Sequence, residues 1–149
     1  VAEFQAGTMY RYALLNLDQL HHNLEEPALV APTVRGVLRA FVLALPTGHQ
    51  AQYAAYGRPA CVLAVVGEDA PVSLAGAFER PVRADLSAGG GYEAPSVQAL
   101  IDHWTAIRTA YSLTGVDITF ALPAVDTSPL TAYPTLEGWL TAVIKEAGL

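Results

Sequence analysis

The order of hydrophobic and polar residues along the first half of the chain predicts strands that alternate with an amphipathic helix. Residues 9–17, M-Y-R-Y-A-L-L-N-L, alternate in part, which predicts a strand that ends at Asp18. A helix should begin near Pro32 and end before Pro46, because apolar side chains recur there at helical spacing. The apolar, β-branched run 60–66 is short enough for a core strand.

The second half of the chain follows a flexible glycine-rich loop, residues 86–94, which is the best internal boundary. Apolar side chains at helical spacing predict a long helix over residues 96–112 and a strand over 118–122. Residues 123–134 contain several prolines and should form a loop. Thr135 is then placed to cap a final amphipathic helix.

Strands interleaved with long amphipathic helices indicate an α+β fold. Residues 71–82 fit a short strand followed by a turn, since Gly76 interrupts their alternation. The length of 149 residues and the 52% share of hydrophobic residues support a single domain, 1–149, with one core. We expect a ferredoxin-like sheet with helices on one face.

Charge and cysteine content narrow the classes of protein further. Eight Lys and Arg residues against fourteen Asp and Glu residues give a net charge of −6, whereas a free-standing nucleic-acid binder carries a basic excess. The single cysteine, Cys61, excludes a disulfide framework and should be a buried thiol. No apolar run approaches the roughly 20 residues that a membrane helix needs, and no signal peptide is visible, so we expect a cytoplasmic protein. The chain opens on Val1, which suggests the C-terminal part of a longer protein.

Residue types that commonly catalyse reactions or bind metals do not occur at the spacing of a known motif. The four histidines do not form a metal-binding motif, and the sequence has no G-x-S-x-G nucleophile motif. The three consecutive glycines are not followed by G-K-[ST] and so do not form a phosphate-binding Walker loop. We therefore expect no catalytic residue, no metal and no cofactor.

A polar, aromatic loop after the first long helix has the chemistry of a ligand contact. Residues 46–57 read P-T-G-H-Q-A-Q-Y-A-A-Y-G. In this loop Gly48 permits close backbone approach, Gln50 and Gln52 offer donors, and aromatic rings offer stacking surfaces for RNA bases. A solvated loop whose tyrosines pack into the core would have the same composition.

Two arginines lie in motifs that suit a phosphate contact. Arg11 lies between two tyrosines, where its guanidinium can bind phosphate while a ring stacks, or it is an exposed strand arginine. Arg80 lies in A-F-E-R-P-V, where its neighbour Glu79 offers a surface ion pair as the alternative. Arg35 and Arg39, one helical turn apart, fit a solvated helix face.

Three segments occur in one order and at compact spacing: residues 10–20, Y-R-Y-A-L-L-N-L-D-Q-L, the polar loop, and residues 71–82, P-V-S-L-A-G-A-F-E-R-P-V. With them the chain resembles the CasC family, the backbone subunit that coats guide RNA in the type I-E CRISPR surveillance complex Cascade. The family loop reads G-K-Q, a small polar residue, then aromatic-Ala-Ala, and His49 departs from it. A neutral histidine lacks the fixed charge of that lysine at neutral pH.

The resemblance implies a modified RRM-like palm domain, of which this chain would be the C-terminal portion. It implies a noncatalytic subunit that polymerises along guide RNA, contacts the other Cascade proteins and presents the guide for pairing with target DNA. From the chemistry of the residues and the resemblance together, the residues expected to bind RNA are Gly48, His49, Gln50, Gln52, Tyr53, Arg11 and Arg80. Two alternatives stay open, a small acidic ferredoxin-like enzyme or metabolite-binding domain, and a protein-only assembly module.

Overall fold

The computed structural model describes residues 7–44, 57–86 and 90–149. Within them the fold is mixed α+β, a small sheet with helices packed on it, as the sequence predicts. The helices are α1 (Leu17–Leu24), α2 (Val30–Leu43), α3 (Glu93–Ala110) and α4 (Leu136–Glu146), with short 3-10 helices at Pro27–Leu29 and Ala75–Phe78. The strands are β1 (Cys61–Val66), β2 (Val116–Ala121) and β3 (Ala132–Tyr133).

The three strands form one mixed sheet in the order β1-β2-β3. β1 and β2 are antiparallel, with register from Cys61 opposite Ala121 to Val66 opposite Val116. β3 is parallel to β2 and covers only a short part of it. β2 is therefore the central strand, and the packing of its two faces determines where the helices lie.

One face of β2 packs on α4 and the C-terminal half of α2. Trp139 is 1% exposed, and its indole Nε1 donates a hydrogen bond of 2.9 Å to the backbone oxygen of Ile118. The buried members of this core are Val42, Ile118, Trp139, Leu140 and Val143. Because side chains alternate between the faces of a strand, Val62 and Ala64 of β1 join the same core.

The other face of β2 is also covered. Thr119 and Ala121 point to that face and are buried, and Arg108 of α3 forms an ion pair with Asp117 beside them. The sequence predicts helices on one face of the sheet. The structure adds that α3 reaches the second face through this ion pair.

The strand predicted over residues 9–17 is wrong. Residues 7–16 form no regular element, and α1 begins at Leu17. The side chain of Asn16 explains the start of the helix, because it accepts a hydrogen bond of 2.9 Å from the backbone N–H of Gln19 and so caps the helix. Leu17, Leu20 and Leu24 recur at helical spacing, which indicates a helix from the sequence alone.

Other boundaries also differ from the predictions. Residues 71–82 contain a 3-10 helix and no strand, and β3 falls inside the predicted loop 123–134. α3 begins at Glu93, earlier than predicted, because Pro95 is tolerated in the first turn of a helix. Of the predicted glycine-rich loop, residues 87–89 lie outside the described residues.

Two predicted features are confirmed. Thr135 caps α4, since its hydroxyl oxygen accepts a hydrogen bond of 3.1 Å from the backbone N–H of Gly138. The apolar run that begins at Ala60 forms β1, which starts at Cys61.

No helix within the described ranges is long and apolar enough to cross a membrane.

One carboxylate holds the end of the sheet where β1 stops and β2 starts. Asp69 Oδ2 accepts hydrogen bonds from the backbone N–H groups of Thr114, at 2.6 Å, and Gly115, at 2.9 Å. A Cβ on Gly67 would lie 2.7 Å from the Cα of Gly115, so the two backbones meet too closely for a side chain. The bonds from Gly115 and Thr114 lower the pKa of Asp69 below its ordinary value of 3.8.

We expect Asp69 to make the free energy of unfolding depend on pH. Because its pKa is lower in the folded state, its contribution is present above the unfolded-state pKa and is lost as pH falls through the folded-state pKa. D69N should therefore lower stability at neutral pH and reduce the loss of stability below about pH 4. Urea denaturation at neutral and acidic pH measures this, with E68Q as the control. Equal acid dependence in D69N and the native protein would contradict it.

Truncation of Trp139 should be among the most damaging core changes. W139A removes a fully buried side chain and leaves the Ile118 carbonyl without its donor, so we expect a loss of roughly 3–5 kcal/mol in the free energy of unfolding. Y111A truncates an exposed aromatic residue and should change stability by less than about 0.5 kcal/mol. Urea denaturation followed by circular dichroism measures both. Similar losses in the two variants would show that this packing is not central.

Candidate nucleic-acid interface

The predicted loop contacts lie outside the described residues. Gly48, His49, Gln50, Gln52 and Tyr53 fall between the end of the first described range, 7–44, and the start of the second, 57–86. Their assignment to RNA therefore stays a prediction. The described residues on either side of the loop show what surrounds the C-terminal end of α2.

Arg11 packs on the C-terminal end of α2. Its guanidinium donates hydrogen bonds to the backbone oxygens of Ala44, at 3.1 Å, and Phe41, and its central carbon lies 4.8 Å from the centre of the Phe41 ring. These carbonyls are among those that a helix end leaves without internal partners. Arg11 is exposed, as predicted, but it does not lie on a strand.

Arg58 follows the polar loop in the sequence, whereas Arg11 precedes it. Both side chains contact the same end of α2. The Arg58 guanidinium donates a hydrogen bond of 3.2 Å to the backbone oxygen of Leu43. Arg58 is also exposed. Arg58 lies outside the three motif segments, although a basic residue directly after a polar, aromatic loop is a signal for such a contact. Leu43 and Ala44 are consecutive, so the two guanidinium groups bind neighbouring carbonyls.

A contact between aromatic rings joins two of the three motif segments. The rings of Tyr10 and Phe78 lie 5.4 Å apart at 47°, and the Tyr10 hydroxyl accepts a hydrogen bond of 3.0 Å from the backbone N–H of Leu74. Leu74 is buried and Phe78 partly buried, so this contact is part of the packed interior. The structure thereby brings the segment that contains Arg11 against the segment that contains Arg80.

Arg80 lies at the edge of a groove between the 3-10 helix at Ala75–Phe78 and α3. The groove has a volume of about 350 Å³, and Glu79, Asp102 and His103 also line it. A Cβ on Gly76 would lie 3.0 Å from His103 Nε2, so glycine lets the two elements approach closely. Arg80 is exposed, and among the described residues no ion pair joins it to Glu79.

The arginines divide into two groups by their partners. Arg35 and Arg39 both pair with Glu137 of α4, and Arg108 pairs with Asp117. Arg35 and Arg39 thus join two helices, where the sequence predicted a solvated face. The arginines without a carboxylate partner among the described residues are Arg11, Arg58, Arg80 and Arg83. All four lie in or directly beside the motif segments, so positive charge collects there although the chain is acidic overall.

His21, His22 and Cys61 lie outside the three motif segments. His21 and His22 lie exposed in the last turn of α1. In the part of the chain that the structure describes, no group of three or more His, Cys, Asp or Glu side chains is placed to hold a metal ion. Burial raises the pKa of Cys61 to about 11, so this thiol stays protonated at neutral pH and packs as an apolar group.

Solved structures show the same fold in larger proteins. A chain of a "CRISPR RNA-guided surveillance complex" superposes with a TM-score of 0.80 at 26% identity, covering 89% of this chain and 50% of that one. A chain of a "CRISPR RNA-guided surveillance complex, pre-nicking" superposes with a TM-score of 0.76, also at 26% identity, covering 89% of this chain and 36% of that one. This chain thus spans half or less of their lengths.

No curated protein matches the chain in sequence. The sequence model of the family described as "CT1975-like protein" matches residues 1–139, which is nearly the whole chain. This match covers both flanks of the polar loop and the segment that contains Arg80. Because the family model matches most of the chain, the chain belongs to the CT1975-like protein family.

Proposed function

We propose that the chain is part of a guide-RNA-binding backbone subunit of a Cascade-type CRISPR surveillance complex. The observation that carries this proposal is the superposition on surveillance-complex chains with a TM-score of up to 0.80 over 89% of the chain. The match to the CT1975-like family supports it independently through sequence. The narrower assignment, a CasC-type subunit of type I-E, rests on the three motif segments.

In this proposal residues 1–149 form one RRM-like portion of the subunit's palm, and the subunit is noncatalytic. The polar loop provides close backbone approach, amide donors and aromatic rings, and Arg11 and Arg80 contact phosphate. Such contacts position RNA without reading its bases. The sequence is read by pairing between guide RNA and target DNA. The partners are guide RNA, other copies of the subunit, other Cascade subunits and, through the guide, target DNA.

The net charge of −6 is compatible with this role because the charges are unevenly placed. Among the described residues, carboxylates neutralise three arginines, whereas Arg11, Arg58 and Arg80 have no such partner and lie in or directly beside the motif segments. The local potential at the contact surface, rather than the total charge, attracts a polyanion. Neighbouring subunits along one RNA strand also share its neutralisation.

A second candidate is a small acidic metabolite-binding domain. The groove beside Arg80 favours it, because Asp102, His103 and Glu79 give it both donors and acceptors within about 350 Å³. Its acidic rim suits a small polar or cationic molecule better than RNA.

The protein purified from its native cells should carry short RNA. Gel filtration with absorbance at 260 and 280 nm should show a peak larger than the monomer with an absorbance ratio typical of nucleic acid, which ribonuclease treatment abolishes. A monomer with a bound small molecule would instead favour the second candidate. A clean oligomer without RNA would favour a protein-only assembly module.

Replacement of Arg80 should reduce the salt dependence of RNA affinity. If Arg80 neutralises one phosphate, R80Q should lower the slope of log Kd against log salt concentration by about 0.7, the value for one contact on a single strand. R39Q is the matched control, since Arg39 is exposed but paired with Glu137. Fluorescence anisotropy with labelled single-stranded RNA measures both slopes. Equal slopes in R80Q and the native protein would remove Arg80 from the interface.

A further inference from the structure

Two arginines converge on one helix end. Arg11 donates hydrogen bonds to the backbone oxygens of Phe41 and Ala44, and Arg58 donates one to the backbone oxygen of Leu43. The two residues are far apart in sequence, so the fold brings them together here. Their neighbouring acceptors place both guanidinium groups around the last turn of α2.

The positive charge at this point exceeds what the helix requires. The C-terminal end of a helix carries the equivalent of roughly half a negative charge, whereas two guanidinium groups carry two full positive charges. Among the described residues neither Arg11 nor Arg58 has a carboxylate within ion-pair distance. Neutral amide side chains would suffice to cap the carbonyls, so capping alone does not explain two cations.

The site is also held in place before any ligand arrives. The Arg11 guanidinium lies over the Phe41 ring at 4.8 Å and is fixed by two carbonyls. A guanidinium carries five N–H donors, of which the described bonds use two on Arg11 and one on Arg58. The remaining edges suit the two-pronged hydrogen bonding that arginine forms with phosphate.

We infer that Arg11 and Arg58 together form a phosphate clamp at the C-terminal end of α2, which binds the sugar-phosphate backbone of single-stranded RNA. Arg58 is thereby a further RNA-binding residue, beyond those that the sequence motifs assign. The inference rests on the proposed function, because it takes RNA as the source of the phosphate. It adds that the helix end serves as the rigid support on which the two cations are mounted.

The test measures RNA affinity against salt concentration for R58Q, R11Q and the double variant. The probe is a fluorescein-labelled, mixed-sequence single-stranded RNA, and the readout is anisotropy over a potassium chloride series. Each single variant should lower the slope of log Kd against log salt concentration by about 0.7, and the double variant by about 1.4. R58K should keep the native slope, because the charge remains, but bind several-fold more weakly, because lysine cannot form the two-pronged contact.

R35Q is the matched control. It makes the same change of charge on α2 itself, but Arg35 pairs with Glu137 and hydrogen-bonds Thr141, so its loss should leave the slope unchanged. Thermal unfolding of each variant distinguishes a structural role, as a cap of the helix end, from a role in RNA binding. A purely structural role would lower the melting temperature of R58Q without changing its slope, which overturns the inference.

The remaining outcomes also decide the question. If R58Q does not fold, R58K decides, and native affinity in R58K would contradict the clamp. If the native protein binds RNA but all variants share its slope, the proposed function stands and the clamp fails. If the native protein shows no RNA affinity at any salt concentration, both fail.

Discussion

The packing of Trp139 against the central strand is the interaction on which the other placements depend. Its indole binds the Ile118 carbonyl and its ring fills the space between β2 and α4. With α4 fixed on the sheet, Glu137 on its exposed side holds both Arg35 and Arg39 of α2. Exposed ion pairs contribute little energy, so this pairing aligns the two helices more than it stabilises them. Apolar packing at Val42 then fixes the end of α2 where Arg11 and Arg58 meet.

The sequence predicted the long elements well because their apolar spacing reports a buried face. β1, α3 and α4 have enough periodic positions to outweigh local ambiguity, and Thr135 caps α4 through chemistry that is visible in sequence. The strand predicted over residues 9–17 is wrong for a different reason. Alternation shows which side chains could share a face, but a strand also needs a neighbour to pair with, and the described structure provides none for Tyr10 or Tyr12. The two-residue strand β3 has no periodicity to detect.

The candidate site was predictable in its segments but not in its contacts. Motif order drew attention to the regions around Arg11 and Arg80, and the ring contact of Tyr10 with Phe78 shows that the fold joins them. The partners of each arginine depend on tertiary structure, which sequence spacing does not encode. Arg35 and Arg39 look like solvent-facing residues in sequence, yet they bind Glu137 about a hundred positions away. Arg58 belongs to no motif, and only its hydrogen bond to the Leu43 backbone oxygen identifies it as a candidate.

The acidic composition gives a general reason for caution when net charge is used to exclude RNA binding. Counterion release depends on the number of phosphates that cations contact, not on the sum of charges over the chain. Carboxylates that pair with Arg108 or cap a turn, as Asp69 does, lower the net charge although they are bonded to other groups of the protein. An arginine held against a helix end, by contrast, keeps its full charge and loses little side-chain freedom on binding. A chain with a net charge of −6 can therefore present a small, rigid cationic surface.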